Sequence, residues 1–297
     1  MQKSLPSKYF YDQRGDALFQ AIMDMPEYYL TRSEYEIVNQ QYTAIAEALN
    51  PKGRLDVMEL GAGDGTKTNV LLSNWLALGM DISYTPVDIS ANVLKQLQQT
   101  FKKNLPDLSV SPMQGDYFDV LEKTKGNANQ RLILFMGSNI GNFRGPNQNA
   151  FIDAISENMN PGDGLLVGFD MVKDPRTILA AYNDKQGITK AFNMNILERC
   201  NRELNADFAL DEFTHYPIYD PHTQEARSYL ISNRTQSVHF PKSDVHIALN
   251  VGETIHTETS RKYTENDIKR LYKRANLNVN GWFYDCKHYF VDCLGVK

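Results

Sequence analysis

The chain has 297 residues, long enough for one large domain or a domain with a substantial insertion, and in either case for a full hydrophobic core. A formal net charge of −5 leaves no basic stripe for nucleic acid, and no apolar run approaches the ~18 residues that a membrane span requires. Cys200, Cys286 and Cys293 show neither an even count nor C-x-x-C spacing, and Met-Gln-Lys-Ser-Leu-Pro lacks the apolar core of a signal peptide, so a soluble cytoplasmic protein with small-molecule partners is expected.

The first fifty residues are rich in aromatics: Tyr9, Phe10, Tyr11, Phe19, Tyr28, Tyr29, Tyr35 and Tyr42. Leu18, Ala21 and Ile22 share one face of a predicted helix over 16–24, ended by Pro26. A second helix is predicted to start at Thr31, with Glu34 completing a T-x-x-E capping box. It continues on Tyr35, Val38, Tyr42, Ile45 and Leu49 until Pro51-Lys52-Gly53. Tyr11 and Pro26-Glu27-Tyr28-Tyr29 fall at helix ends, where rings can face a pocket.

Residues 55–72 read LDVMELGAGDGTKTNVLL: an apolar strand, a glycine-rich turn and a helical pattern carrying Val70, Leu71 and Leu72. This opens a βαβ unit. Gly61 and Gly63 permit a sharp bend and a close ligand approach, while the helix N-terminus offers unpaired N–H groups to an anion. A dinucleotide fingerprint would put its third glycine where Thr66 stands, and Gly65 comes one residue early. With Glu59 before the turn, E-L-G-A-G-D-G instead resembles the first motif of class I S-adenosylmethionine methyltransferases. Asp88, closing Tyr84-Thr85-Pro86-Val87-Asp88, stands where such folds place an acid on the ribose hydroxyls.

Strand and helix patterns then alternate. Ser90 caps a helix carrying Val93, Leu94, Leu97 and Phe101; a strand over 108–113 leads into Gly115-Asp116-Tyr117; and the polar loop 123–130 precedes a continuously apolar strand over 131–136, buried on both faces. That strand ends in Gly137-Ser138-Asn139-Ile140-Gly141-Asn142-Phe143, at the carboxyl edge where open α/β sheets bind ligands. A helix over 147–159 and a strand over 164–169 follow. From Val172 the texture changes: helices over 177–183 and 189–204 give way to five strand-like runs between Phe213 and Thr259, then a helix over 265–275 and strands over 279–284 and 289–294 restore the α/β pattern. The reading is a doubly wound α/β domain, 31–172 with 261–297, and an α+β module formed by 1–30 and the late insertion 173–260. His215, His222, His239, His246, His256 and His288 show no metal-ligand spacing, and no metal is expected.

Several separated strings now converge. Tyr9-Phe10-Tyr11-Asp12-Gln13-Arg14-Gly15, Pro26-Glu27-Tyr28-Tyr29-Leu30-Thr31-Arg32, ELGAGDGTKT, Ile140-Gly141-Asn142, Ala181-Tyr182-Asn183-Asp184 with Phe192-Asn193, and Thr257-Glu258-Thr259-Ser260 together resemble the histidine-specific Nα-methyltransferases of the ergothioneine pathway over nearly the whole chain. The resemblance implies a class I, Rossmann-like methyltransferase fold and transfer of methyl groups from S-adenosylmethionine to the α-amine of a free amino acid, with histidine trimethylated to hercynine. Because the family extends to fungal enzymes acting on a prenylated tryptophan, another aromatic amino acid stays open, as does a nicotinamide-dependent oxidoreductase if the turn takes a dinucleotide. Oligomeric state is not legible, and a monomer is compatible with the sequence.

Residue by residue, the resemblance implies that Gly61, Gly63, Lys67, Asp88, Asp116 and Tyr117 surround S-adenosylmethionine. Lys67 would meet the methionine carboxylate at the helix N-terminus, Asp88 would take the ribose hydroxyls, and Asp116 would accept from the adenine amino group. Asn142 and Tyr182 would hold the substrate carboxylate; Tyr28 and Tyr11 would lie near its α-amine, with Phe19 completing an aromatic surround for the methylated cation. Tyr11 is the expected catalytic hydroxyl, relaying the proton lost by the amine. Glu258 and Ser260, two apart on a strand and so on one face, would hold the two imidazole nitrogens. Two positions depart from the family pattern: Ser228 replaces a larger apolar side chain beside the imidazole, and Asn139 replaces serine or threonine.

Overall fold

The computed structural model describes residues 2–126, 128–143 and 145–297; within the predicted polar loop 123–130, Asn127 lies outside the described residues. In chain order the elements are β1 (Lys3–Ser4), α1 (Gln13–Met23), α2 (Tyr29–Gln40), α3 (Tyr42–Leu49), β2 (Leu55–Leu60), α4 (Thr66–Ala77), β3 (Ile82–Asp88), α5 (Ala91–Asn104), β4 (Ser109–Val110), β5 (Met113–Gln114), α6 (Tyr117–Lys123) and β6 (Gln130–Phe135). They continue as α7 (Pro146–Glu157), β7 (Gly164–Asp170), α8 (Pro175–Tyr182), α9 (Ile188–Leu204), β8 (Phe213–Asp220), β9 (Glu225–Ser232), β10 (Gln236–Phe240), β11 (Val245–Leu249), β12 (Thr254–Arg261), α10 (Glu265–Arg274), β13 (Asn278–Tyr284) and β14 (Phe290–Val296). The chain divides into two compact units, Met1–Tyr29 with Lys173–Arg261, and Leu30–Val172 with Lys262–Lys297.

The larger unit is built on a sheet of order β13-β14-β7-β6-β2-β3-β4, with β5 beside β4 on the edge of β3. Strands β2, β3, β6 and β7 run parallel, and β14 enters antiparallel between β7 and β13. Strand order reverses at the β2/β6 pair, which makes the carboxyl ends of these strands the ligand-binding edge. This is the doubly wound, Rossmann-like α/β arrangement of class I methyltransferases. The centre is dry: Ile133, Leu134, Leu165, Leu166 and Val167 are all fully buried. Arg131 at the start of β6 is also buried, and Asp163 compensates it, accepting from both its backbone N–H and its guanidinium at 2.8–2.9 Å. Leaving such a buried charge without its partner costs about 3–5 kcal/mol.

Two local expectations change. The second helix begins at Tyr29 instead of Thr31 and is interrupted at Gln41, where α3 begins. Glu34 therefore lies inside α2, and its side chain does not close a capping box. The strand over 108–113 splits into β4 and β5: Ser111 N–H closes the β4 ladder on Tyr84 O at 2.9 Å, and Pro112, which has no N–H to donate, interrupts it before Met113.

The smaller unit has a four-stranded sheet of order β1-β12-β9-β8 and a separate β10–β11 hairpin. Its core gathers Phe10, Ile22, Phe192, Leu197, Phe213, Leu230 and Ile255. On β9, Ala226, Ser228, Leu230 and Ser232 alternate as the buried set, which fixes the covered face. Strand β12 does not keep simple alternation. His256 pairs with Tyr229 but Glu258 pairs with Ser228, so Thr257 is the extra residue of a β-bulge. Past the bulge the strand has turned over: Glu258 and Ser260 lie opposite Ser228 and Ala226, on the face of Ile255 and Leu230, while Thr259 joins His256 on the other side. Accordingly His256 Nε2 and Thr259 Oγ1 are 3.0 Å apart.

Candidate active site

In the larger unit, β2 delivers the chain to the glycine turn at the carboxyl edge. Gly61, Gly63 and Gly65 have φ of +73°, +55° and +69°, left-handed conformations that glycine adopts without a Cβ penalty. Each has a different reason to be glycine. A Cβ at Gly65 would strike Leu97 at 2.5 Å; one at Gly61 would meet the Tyr117 hydroxyl at 2.7 Å; one at Gly63 would meet nothing within 4 Å, leaving the turn open there to a ligand. The first N–H of α4 is met by Asp64 Oδ1, which accepts from Thr66 N at 3.0 Å.

Asp88 and Asp116 flank this turn. Gly61 N donates to Val87 O at 2.9 Å and Gly115 N to Asp88 O at 3.2 Å, stitching the three carboxyl-end segments together. Asp88 Oδ1 accepts from Ser90 N at 2.8 Å. Burial raises the Asp88 pKa against the lowering effect of the Ser90 and Ile89 N–H groups. Asp116 caps α6, accepting from Phe118 N at 3.0 Å, and is exposed. Its neighbour Tyr117 is pushed up to about 12, by burial first and then by the negative charges of Asp88 and Asp116. A left-handed open turn, a half-buried acid at the end of β3 and a second acid one strand further fit a nucleoside with an anionic end, as S-adenosylmethionine requires. Asn142 ends the short turn 139–142 after β6 and is exposed, and Asn139 donates to Met136 O at 2.9 Å to shape it.

Lys67 is neither a free surface lysine nor an isolated cation. Its Nζ is ion-paired with Glu34, whose carboxylate is fully buried and also accepts from Gly137 N at 2.8 and 2.9 Å. Burial would lower the Lys67 pKa, yet Glu34, with help from Asp292 and Glu59, raises it. Beneath the turn, Glu59 is buried and accepts from the Thr68 hydroxyl at 2.8 Å and the Tyr84 hydroxyl at 2.5 Å. Burial outweighs those bonds and holds its pKa at about 7.

In the smaller unit, Tyr11, Phe19 and Tyr28 come together. Phe19 meets Tyr11 edge-on at 5.7 Å between centroids and Tyr28 at 6.4 Å. Phe192 of α9 completes the cluster at 5.9 Å from both Tyr11 and Phe19, a member that sequence reading did not single out as a site residue. Tyr11 remains 46% exposed, so its hydroxyl is not locked in the core. Tyr182 closes α8 and is buried. Glu258 is half-buried and Ser260 buried on the covered face of the sheet, with Ser228 directly opposite Glu258 and its Oγ 3.5 Å from Glu258 Oε2. The bulge itself is pinned: Thr257 Oγ1 donates to Asn193 Oδ1 at 2.6 Å, one residue along α9 from Phe192. Glu258 and Ser260 are thus a polar pair on a covered face, unlike the alternating polar positions of a surface strand.

Sequence spacing gave no metal set among the histidines, but the β10–β11 hairpin places His239 opposite His246, their rings stacked 4.1 Å apart, with Asp244 close by. Their ligand atoms lie within 4.8 Å of one another, and Asp244 is exposed. Among the described residues, no helix is long and apolar enough to cross a membrane.

The family described as "Histidine-specific methyltransferase, SAM-dependent" matches residues 1–297. The histidine N-alpha-methyltransferase of Mycolicibacterium smegmatis is 34% identical over 295 residues, covering 99% of this chain and 91% of its own. That of Mycobacterium tuberculosis is 34% identical over 284 residues, covering 95% and 87%. Ergothioneine biosynthesis protein 1 of Neurospora crassa is 31% identical over 95% of this chain, which spans 32% of that longer protein. Among solved structures, an S-adenosylmethionine-dependent methyltransferase from Clostridium acetobutylicum aligns over 95% of both chains at 13% identity, with a TM-score of 0.47.

Proposed function

Because the chain belongs to the S-adenosylmethionine-dependent, histidine-specific methyltransferase family, it is an enzyme that methylates a nitrogen of a small molecule, and we propose that its acceptor is the α-amine of free L-histidine, carried to the trimethylated betaine hercynine. The family assignment removes the nicotinamide alternative. The observation that carries the histidine reading is the β12 bulge, which sets Glu258 and Ser260 side by side on the covered face of the smaller unit. A carboxylate accepts one imidazole N–H and a hydroxyl serves the other ring nitrogen, and an acceptor without those groups forgoes both hydrogen bonds, a kind of mismatch that polar sites reject by factors of about 10⁴–10⁵.

In this reading the larger unit binds the donor and the smaller unit supplies the side chains that recognise the acceptor's ring and amine. S-adenosylmethionine supplies an electrophilic methyl group on a sulfonium. The residues Gly61, Gly63, Lys67, Asp88, Asp116 and Tyr117 hold it, by backbone approach at the glycines, charge at Lys67, and acceptor oxygens at the two acids. Tyr182 donates to the acceptor carboxylate and fixes its α-carbon. Tyr11 Oη accepts a hydrogen bond from the amine and passes the displaced proton toward solvent, in keeping with its exposure. Tyr11, Phe19 and Tyr28, a cluster by their ring contacts, stabilise the methylated cation by about 0.5–2 kcal/mol per ring when desolvated. Positioning supplies most of the acceleration.

One observation favours a second acceptor class: Ser228 is fully buried, yet small, where the family carries a larger side chain, which suits a bulkier aromatic amino acid. Incubation with S-adenosylmethionine and each amino acid in turn, with mass detection and fragmentation, decides the matter. Histidine methylated successively on its α-nitrogen is the expected result; methylation of tryptophan or tyrosine without histidine, or methylation on the imidazole, overturns the proposal.

A further inference from the structure

Glu34 has no part in the donor contacts described so far, yet it is the hub of a buried charged group within the larger unit. Its carboxylate, fully buried, takes the Lys67 ammonium and the Gly137 N–H together, linking helix α4 of the cradle to the turn that follows β6 and ends at Asn142. Room for it is made by glycine: a Cβ at Gly168 on β7 would sit 2.2 Å from Glu34 Oε1. Beside it lies Asp292 of β14, fully buried and pushed well above the usual carboxylate range by burial and by Glu34, against the opposing effect of Lys67. Glu59 is the remaining acid that acts on Lys67. The Lys67 side chain is 21% exposed as a whole, and Glu34 anchors its ammonium at the buried end.

We propose that Glu34 is a positioning residue for the methyl donor: it fixes the Lys67 ammonium on the cradle, so that the remaining N–H donors of Lys67 meet the donor's carboxylate, and it ties that cation to the turn carrying Asn142. A lysine has four rotatable side-chain bonds and no preferred fork geometry, so without an anchor its charge is spread over many rotamers. The proposal rests on the reading of Lys67 as a donor contact.

The test is a double-mutant cycle read by calorimetric binding of S-adenosylhomocysteine to the purified full chain. Glu34→Gln is expected to weaken binding about tenfold, the effect of losing one charge-assisted hydrogen bond. Glu34→Asp, one methylene short, is expected to fall between it and the unaltered protein. In a Lys67→Met background Glu34→Gln is expected to change affinity less than about twofold, a result that a merely structural role does not give. Equal losses in both backgrounds, or no loss with Lys67 present, overturn the proposal while leaving the Lys67 reading intact. Unchanged affinity in Lys67→Met alone overturns both. Should Glu34→Gln fail to fold, Glu34→Asp carries the same comparison.

Discussion

Replacing Gly61 and Gly63 separately by alanine divides the cost of the turn's backbone from the space that it reserves. Both residues lie in the left-handed region, which costs an alanine about 1–2 kcal/mol. At Gly63 that is the whole folding penalty, since the new Cβ meets no atom within 4 Å. At Gly61 the Cβ lands 2.7 Å from the Tyr117 hydroxyl, and Tyr117 is held edge-on by Phe135 and Phe151 at 6.2 and 6.0 Å, so it cannot swing aside freely. Overpacking adds about 1–2 kcal/mol there. For a chain of this size 1 kcal/mol moves Tm by about 2–4 °C, so Gly61→Ala is expected to lower Tm by roughly 4–16 °C and Gly63→Ala by roughly 2–8 °C. Binding follows a different order. If the donor lies along the turn, the methyl at Gly63 occupies its space, and S-adenosylhomocysteine affinity drops by about tenfold or more in both variants. Scanning calorimetry and binding calorimetry on the same preparations read both quantities. Wild-type affinity in Gly63→Ala refutes the placement of the donor, and equal Tm losses refute the Tyr117 contact.

Tyr11→Phe is expected to lower kcat by about 10²–10⁴-fold with little change in histidine binding, because only the hydroxyl is removed and the ring cluster with Phe19 and Phe192 persists; an unchanged rate takes Tyr11 out of the proton path. Glu258→Gln is expected to raise the KM for histidine by about 10–100-fold, the worth of a charge-assisted hydrogen bond, while narrowing discrimination against other amino acids; an unaltered KM removes it from the imidazole. Glu59 makes stability depend on pH in a direction opposite to most carboxylates. Its folded pKa of about 7 exceeds the ordinary value of 4.5, so its contribution is fully present below about 4.5 and is lost as pH rises through about 7. That amounts to about 3 kcal/mol across the window, and Glu59→Gln should flatten the corresponding fall in Tm between pH 5 and 8; equal slopes in both proteins refute it.

What the chain reveals by itself depends on how far apart the cooperating residues lie. The cradle was legible because strand, glycine turn and helix are consecutive, and each obeys a local rule. Asp88 was legible because the next strand of a βαβ unit has a predictable end. Glu34 was misread: an acid three residues after a threonine is the signature of a capping box, and nothing local distinguishes that from a carboxylate aimed at Lys67 and Gly137, 33 and 103 residues away. Phe192 sat in a recognised string, but its ring contacts with Tyr11 and Phe19 depend on how α1 packs against α9. For Glu258 and Ser260 the shared face was predictable from their spacing. Which face was not, since one unpaired residue reverses the answer and leaves no mark in composition.

That single unpaired residue has a consequence for how such a sheet changes its preferences. Deleting Thr257 would remove the bulge and leave Glu258 and Ser260 opposite Ser228 and Ala226, whereas pairing the unshortened strand without a bulge would slip it by one residue and carry Thr257, Thr259 and Arg261 inward instead. The bulge therefore decides the chemical lining contributed by the end of β12: an acid and a hydroxyl with it, and hydroxyls and a guanidinium if the same residues paired without it.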